Sequence, residues 1–273
     1  MILTFESVSK SYGEVCALDG LSFDVDRDEI VALLGPNGAG KTTALEIALG
    51  LRSADSGSVR LFGASPRSVA IRRRLGVTPQ ESGFPDMLRV DEIVAYVAEH
   101  YPRPASMSET LVRFGLEDLA RRRAGTLSNG QSRRLALALA FVGNAEFVVL
   151  DEPTTGLDVE SRRQLWDVVR STAAGRSILF TTHYLEEAQA LATRILVIDH
   201  GRLLFDGEAQ RLRERVGGRR VSYVGANGPV AVTTGDADGY VRALVSSGTA
   251  FSELEILRPS LEEAFLALTG AGK

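Results

Sequence analysis

The chain has a single cysteine, Cys16, among 273 residues, so no internal disulfide can form and no thiolate metal site can be assembled. Cys16 is expected to be a small buried apolar residue. Positive charge is not in excess either: 31 Lys and Arg stand against 35 Asp and Glu, a net charge of −4. Without a basic field, counterion release from a phosphodiester backbone has no source, which argues against nucleic acid as the main ligand. The arginines at Arg72 to Arg74, Arg121 to Arg123 and between Arg211 and Arg220 read as solvated helix faces offset by nearby acids. Long apolar runs are missing too. The longest, Leu135 to Val142, is far below the roughly 20 residues of a spanning helix. Met1 to Lys10 lacks the basic start and apolar stretch of a secretion signal. The chain is therefore expected not to cross a membrane itself.

What is present is a globular composition: 44% of the residues are hydrophobic, enough for a full core in one large domain with a small appendage. Leu3, Phe5 and Ser7 alternate with polar neighbours, as do Leu21, Phe23 and Val25, which predicts half-exposed strands of an antiparallel sheet. The runs Ile30 to Leu34, Phe147 to Leu150, Ile178 to Phe180 and Ile195 to Ile198 are continuously apolar and short. Strands buried on both faces of a parallel sheet read this way. Helical patterns at Thr42 to Leu51, Gln131 to Val142, Glu160 to Ser171 and Leu185 to Ala192 supply the crossovers of an α/β core. Phe84 to Arg123 reads as mostly helical and interrupts the strand series. After about Val216 the texture turns glycine-rich, with short β-like pieces and a closing helix at Leu261 to Leu268.

The strand Ile30 to Leu34 runs directly into Gly35-Pro36-Asn37-Gly38-Ala39-Gly40-Lys41-Thr42, a complete phosphate-loop pattern in its strand-then-helix context. Gly38 and Gly40 let backbone amides turn inward around phosphates, and the helix starting near Lys41 aims its positive end at them. Lys41 adds a point charge for the outer phosphates, and the Thr42 hydroxyl is suited to Mg²⁺. The nucleotide contacts expected from this stretch are Gly35, Asn37, Gly38, Ala39, Gly40, Lys41, Thr42 and the following Thr43.

The second constellation is the apolar strand Phe147 to Leu150, which ends in Asp151 and Glu152. Such a strand delivers carboxylates to the same sheet edge as the phosphate loop. Asp151 is suited to hold Mg²⁺ through its water shell, and Glu152 to activate or position the attacking water.

Leu127-Ser128-Asn129-Gly130-Gln131, which opens the helix before the acidic strand, resembles the L-S-G-G-Q signature of ATP-binding-cassette proteins. Gln80 resembles that family's Q-loop, which adds it as a Mg²⁺ ligand and catalytic contact. Gly156-Leu157-Asp158 resembles the D-loop, with Asp158 at the dimer contact. His183, after Thr181-Thr182, resembles the switch histidine, and Tyr12 resembles the aromatic that stacks on adenine. Arg258 to Leu266 looks like the tail of bacterial drug- and polysaccharide-type exporter ATPases. Asn129 departs from the family glycine; Asn tolerates left-handed backbone geometry, but its side chain intrudes where a partner's phosphate approaches. Trp166 reads as packing.

The resemblance implies an α/β fold. It comprises a P-loop NTPase core with a mostly parallel sheet, an N-terminal antiparallel β subdomain, an inserted helical subdomain and a small C-terminal α+β appendage. The expected division is a nucleotide-binding domain over 1–215, with the helical subdomain at about 84–143, and an accessory module over 216–273. The implied activity is ATP hydrolysis with ATP and Mg²⁺, driving transport through a separate transmembrane permease, export rather than import. Ser128, Asn129, Gly130 and Gln131 are implied to serve the partner's nucleotide, so the working unit is a homodimer or a heterodimer with a related cassette. Its implied place is cytoplasmic, peripheral at the inner face of the cell membrane. The alternative is a soluble ABC-type ATPase acting in translation or DNA repair; those carry paired cassettes, zinc cysteines or long coiled coils, which this sequence lacks.

Overall fold

Alternation at the N-terminus becomes two long antiparallel strands, β1 (Leu3–Tyr12) and β2 (Val15–Val25). Their inward residues Leu3, Phe5, Val8 and Leu21 are buried, and Phe5 stacks on Phe23 with ring centroids 4.5 Å apart. The computed structural model describes residues 1–79, 83–215 and 218–270. In chain order there follow β3 (Ile30–Leu34), β4 (Ser56–Leu61), β5 (Leu75–Thr78), β6 (Phe147–Asp151), β7 (Ser177–Thr182), β8 (Arg194–Asp199) and β9 (Arg202–Gly207). β4 joins the first sheet, ordered β2-β1-β4, and the others form a six-stranded sheet ordered β5-β6-β7-β3-β8-β9.

The apolar runs are the parallel strands of this second sheet. Phe147 to Leu150, Ile178 to Phe180 and Ile195 to Ile198 are all 0% exposed. Each large side chain so buried contributes about 1.5–3 kcal/mol relative to exposure. β3 runs parallel to both β7 and β8, and β6 to both β5 and β7. The register then decides where the chemistry falls: Leu34 is level with Thr182, Thr181 with Asp151, and Leu150 with Thr78. The loops that leave β3, β7, β6 and β5 therefore emerge side by side at one sheet edge.

The insert between β5 and β6 is less helical than its sequence suggested. It holds the helices Val90–Ala98, Met107–Arg113 and Asn129–Val142, with short 3₁₀ turns at Glu117–Leu119 and Ala124–Thr126. Pro102 and Pro104 fall between the first two helices, where a missing amide and a fixed φ stop a helix. Cys16 also departs from expectation: it is exposed, near the tip of the β1–β2 hairpin opposite Ser11, where the strands have run past the core. No helix among the described residues is long and apolar enough to cross a membrane.

A second compact unit covers Gly207–Lys273. Its sheet, ordered β11-β10-β12, consists of β10 (Arg219–Gly225), β11 (Gly228–Thr234) and β12 (Phe251–Leu257). The unit starts earlier than position 216 because the helix Ala209–Arg215 buries Leu212 and contacts the closing helix Leu261–Thr269. A helix at Ala237–Ser246, not expected from the glycine-rich texture of the sequence, begins at Asp236, whose carboxylate accepts from the Gly239 amide at 2.8 Å.

Candidate nucleotide site

Lys41 is the first residue of the helix Lys41–Ala48, whose N-terminus carries no side-chain cap. Its leading amides are thus left for an anion. Gly40 takes φ 103° and Gly38 φ 82°, both outside the range of ordinary side chains. A Cβ at Gly40 would also lie 2.4 Å from the Ala17 carbonyl oxygen, whereas at Gly38 nothing stands within 4 Å. One glycine lets the loop close on β2, and the other faces open space on the concave side. Asn37, Gly38 and Thr42 line the exposed rim, while Gly35 and Ala39 are buried beneath it and Thr43 is half-buried.

Lys41 is 7% exposed, and its ammonium donates to the carbonyls of Gly35 at 2.7 Å and Pro36 at 3.0 Å. Burial lowers its pKa, and the nearby Glu152 and Asp151 carboxylates oppose that. Burial in turn raises the pKa of Asp151, against the hydrogen bond it accepts from the Thr181 hydroxyl. Cation and acids thus sit within electrostatic reach, as the strand register requires.

Glu152 has φ 46°, a left-handed backbone that is uncommon for any residue but glycine. Its amide donates to the Thr181 hydroxyl oxygen at 3.0 Å, and one carboxylate oxygen accepts from the Thr155 hydroxyl at 2.9 Å. The other lies 3.6 Å from Nδ1 of His183, whose ring is 41% exposed. Tyr12 sits on β1 with its ring partly open, flanked by the Arg52 guanidinium at 5.1 Å and the Lys10 ammonium at 5.7 Å. Gln80 lies outside the described residues.

Ser128, Asn129, Gly130, Gln131 and Asp158 form a second group. The Ser128 hydroxyl accepts from the Gln131 amide at 3.3 Å, and the Gln131 side-chain oxygen accepts from the Ser128 amide at 3.0 Å. This is a capping box that opens the helix Asn129–Val142. A hydroxyl used as an acceptor in this way still has its proton to donate to an anion. Asn129 is not left-handed; it occupies the first helical position, so its departure from glycine costs no backbone strain and only its side chain matters. Asp158 caps the helix Val159–Thr172, accepting from the Ser161 amide at 2.8 Å and hydroxyl at 2.7 Å.

Sequence reasoning missed three residues around these groups. Thr181 was read only as the approach to His183, although it bridges Asp151 and Glu152. Arg133 is 8% exposed and donates to the carbonyls of Glu152 and Pro153. Glu187 is 0% exposed, its pKa raised by burial, and accepts from the Trp166 indole at 3.1 Å; Trp166 therefore packs and also satisfies an acid. The available signal was a charged residue on the buried face of a helix, which demands a partner.

Residues 18–155 match the family model described as ABC transporter. The chain belongs to the ABC transporter family. It is 38% identical to the Nod factor export ATP-binding protein I of Paraburkholderia xenovorans, covering 98% of this chain and 97% of that protein. It is 36% identical to the daunorubicin resistance ATP-binding protein DrrA3 of Streptomyces coeruleorubidus, covering 98% and 96%. A solved ATP binding subunit of an ABC transporter superposes with TM-score 0.71 at 26% identity over 79% of this chain and 93% of that one. The dimeric cassette MJ0796 bound to ADP and Pi has the same fold, with TM-score 0.69 at 24% identity over 76% and 98%. The protein is an ABC transporter ATPase that binds and hydrolyses ATP, and the alternative in translation or DNA repair is set aside.

Proposed function

We propose that this ATPase drives export, as a head-to-tail pair of cassettes docked on a separate permease at the inner face of the cell membrane. The observation that carries this reading is the convergence of Lys41, Asp151, Glu152 and His183 at one sheet edge, while Ser128 to Gln131 form a separate capped helix start. The names of the relatives support export. In the proposed site the phosphate loop and Lys41 hold the outer phosphates, Tyr12 offers a ring to adenine, and Glu152, with His183 beside it, takes the proton of the attacking water. The donor set fits Mg²⁺: an exposed Thr42 hydroxyl and the Asp151 carboxylate are hard oxygen donors, and Gln80, the third expected from the sequence, lies outside the described residues. Mg²⁺, when bound, neutralises charge developing on the phosphates. The signature of each chain, with Asp158, completes the partner's site, and the Gly207–Lys273 unit is an accessory module.

The Asn129 side chain is the remaining obstacle at that composite site. Asn129→Gly is expected to preserve or raise ATPase activity and nucleotide-driven pairing, at a helix cost of about 1 kcal/mol or less. A β-branched residue at position 129 is expected to depress both. Steady-state turnover and size-exclusion chromatography with ATP check this, and activity abolished by glycine would mean that the Asn side chain has its own contact.

The membrane arm of the proposal is tested at Phe84, half-buried at the start of the insert that also exposes Met87, Leu88 and Tyr96. An apolar anchor in an interface commonly costs more than about 1 kcal/mol when truncated. Phe84→Ala is expected to leave ATP binding by the isolated subunit intact while weakening its recovery with native membranes and uncoupling hydrolysis from transport. Equal damage to the isolated subunit would make Phe84 core packing and place docking elsewhere.

A further inference from the structure

We propose that Arg133 is a positioning residue that locks the left-handed backbone of Glu152 to the helix carrying the signature. Arg133 lies one turn into the helix Asn129–Val142 and is 8% exposed. Its guanidinium donates to main-chain carbonyls of two loops. Nε reaches Pro153 at 2.8 Å, Nη2 reaches Glu152 and, at 3.5 Å, Asp151, and Nη1 reaches Pro79 at 3.3 Å. Such a spread of acceptors suits a planar fork with five donors and not the single ammonium of a lysine.

The contact with Glu152 has a specific consequence. A non-glycine residue at φ 46° persists only where its surroundings over-determine it. The amide of Glu152 is held by the Thr181 hydroxyl at 3.0 Å, and its carbonyl accepts from Arg133 and, at 3.3 Å, from the Thr155 amide. With both ends of the residue fixed, its carboxylate stays between Thr155 and His183. Loss of the Arg133 contact weakens the hold on this carbonyl, which lets the backbone relax toward a right-handed region and turns the carboxylate away. The same helical turn begins at Ser128, so displacement of the signature when it meets an anion is transmitted through it to Glu152 and to the Pro79 carbonyl. The inference rests on the reading of Glu152 as the residue that activates water.

The test uses the purified full-length chain with Arg133→Lys and Arg133→Gln, each alone and combined with Glu152→Gln. In the wild-type background, kcat is expected to fall about 10–100-fold with KM for ATP changed by no more than about twofold. In the Glu152→Gln background the same substitutions are expected to lower residual turnover by no more than about twofold, since a residue that acts through Glu152 loses its effect with it. An equal fold loss in both backgrounds makes Arg133 an independent structural arginine and overturns the proposal. So does wild-type kcat in the variants, or failure of both to fold. Wild-type turnover in Glu152→Gln alone is a distinct result, which removes the reading of Glu152 before Arg133 is considered.

Discussion

Replacing Glu152 with glutamine is expected to lower ATP turnover by roughly 10² or more while ATP still binds. Glutamine keeps the size of the side chain and an oxygen for the Thr155 hydroxyl, now 2.9 Å from the carboxylate. It cannot take a proton from water. The loss falls on the chemical step, because the Lys41 contacts and the phosphate-loop amides are untouched. Removing one of two carboxylates near Lys41 also reduces repulsion of an incoming anion, so affinity for ATP is preserved or improved. With hydrolysis blocked and binding intact, ATP-dependent dimers should accumulate. Phosphate release in single-turnover conditions and size-exclusion chromatography with ATP read the two effects separately. Turnover close to wild type would assign the water to another group, with His183, 3.6 Å away, the first to examine.

The parallel core was legible because Phe147 to Leu150 and Ile178 to Phe180 show no alternation, and only strands covered on both faces tolerate that. The phosphate loop was legible because its glycines, lysine and threonine are contiguous and bounded by a strand and a helix. Contacts between distant segments were not. Arg133 and Pro79 are separated by 54 positions, and Thr181 and Asp151 by 30; nothing local marks either pair, and it takes the packing of the helix Asn129–Val142 on β5 for the first and the strand register for the second to bring them together. Cys16 was misread for a related reason: burial statistics for cysteine do not know that a hairpin overshoots its sheet. The helix Ala237–Ser246 was lost because the glycine-rich texture after about Val216 suggested turns and short β-like pieces, whereas the Asp236 side chain bonds the Gly239 amide and caps a helix. In each case a tertiary or capping contact outweighed the local preference.

Lys41→Ala is expected to weaken ATP binding by about 10–100-fold, the value of a hydrogen bond to a charged group, and to abolish hydrolysis. In this conformation the ammonium is turned back on its own loop, donating to the Gly35 and Pro36 carbonyls. Phosphate oxygens must replace those neutral acceptors. The exchange is favourable because a charge-assisted hydrogen bond is roughly twice as strong as one to a neutral group. Burial already lowers the Lys41 pKa, and the Asp151 and Glu152 carboxylates oppose the shift; the site is therefore arranged to hold a desolvated cation in place for an anion. Alanine leaves those two carboxylates facing the phosphates with Lys41 gone, although Arg133 still acts on them. Titration with a fluorescent ATP analogue measures the binding loss, and phosphate release measures the catalytic one. Wild-type binding and turnover in Lys41→Ala would overturn the assignment of Gly35 to Thr42 as the phosphate loop. A binding loss without a catalytic one would show that Lys41 holds the ground-state nucleotide only, leaving the transition-state charge to the helix amides and the metal.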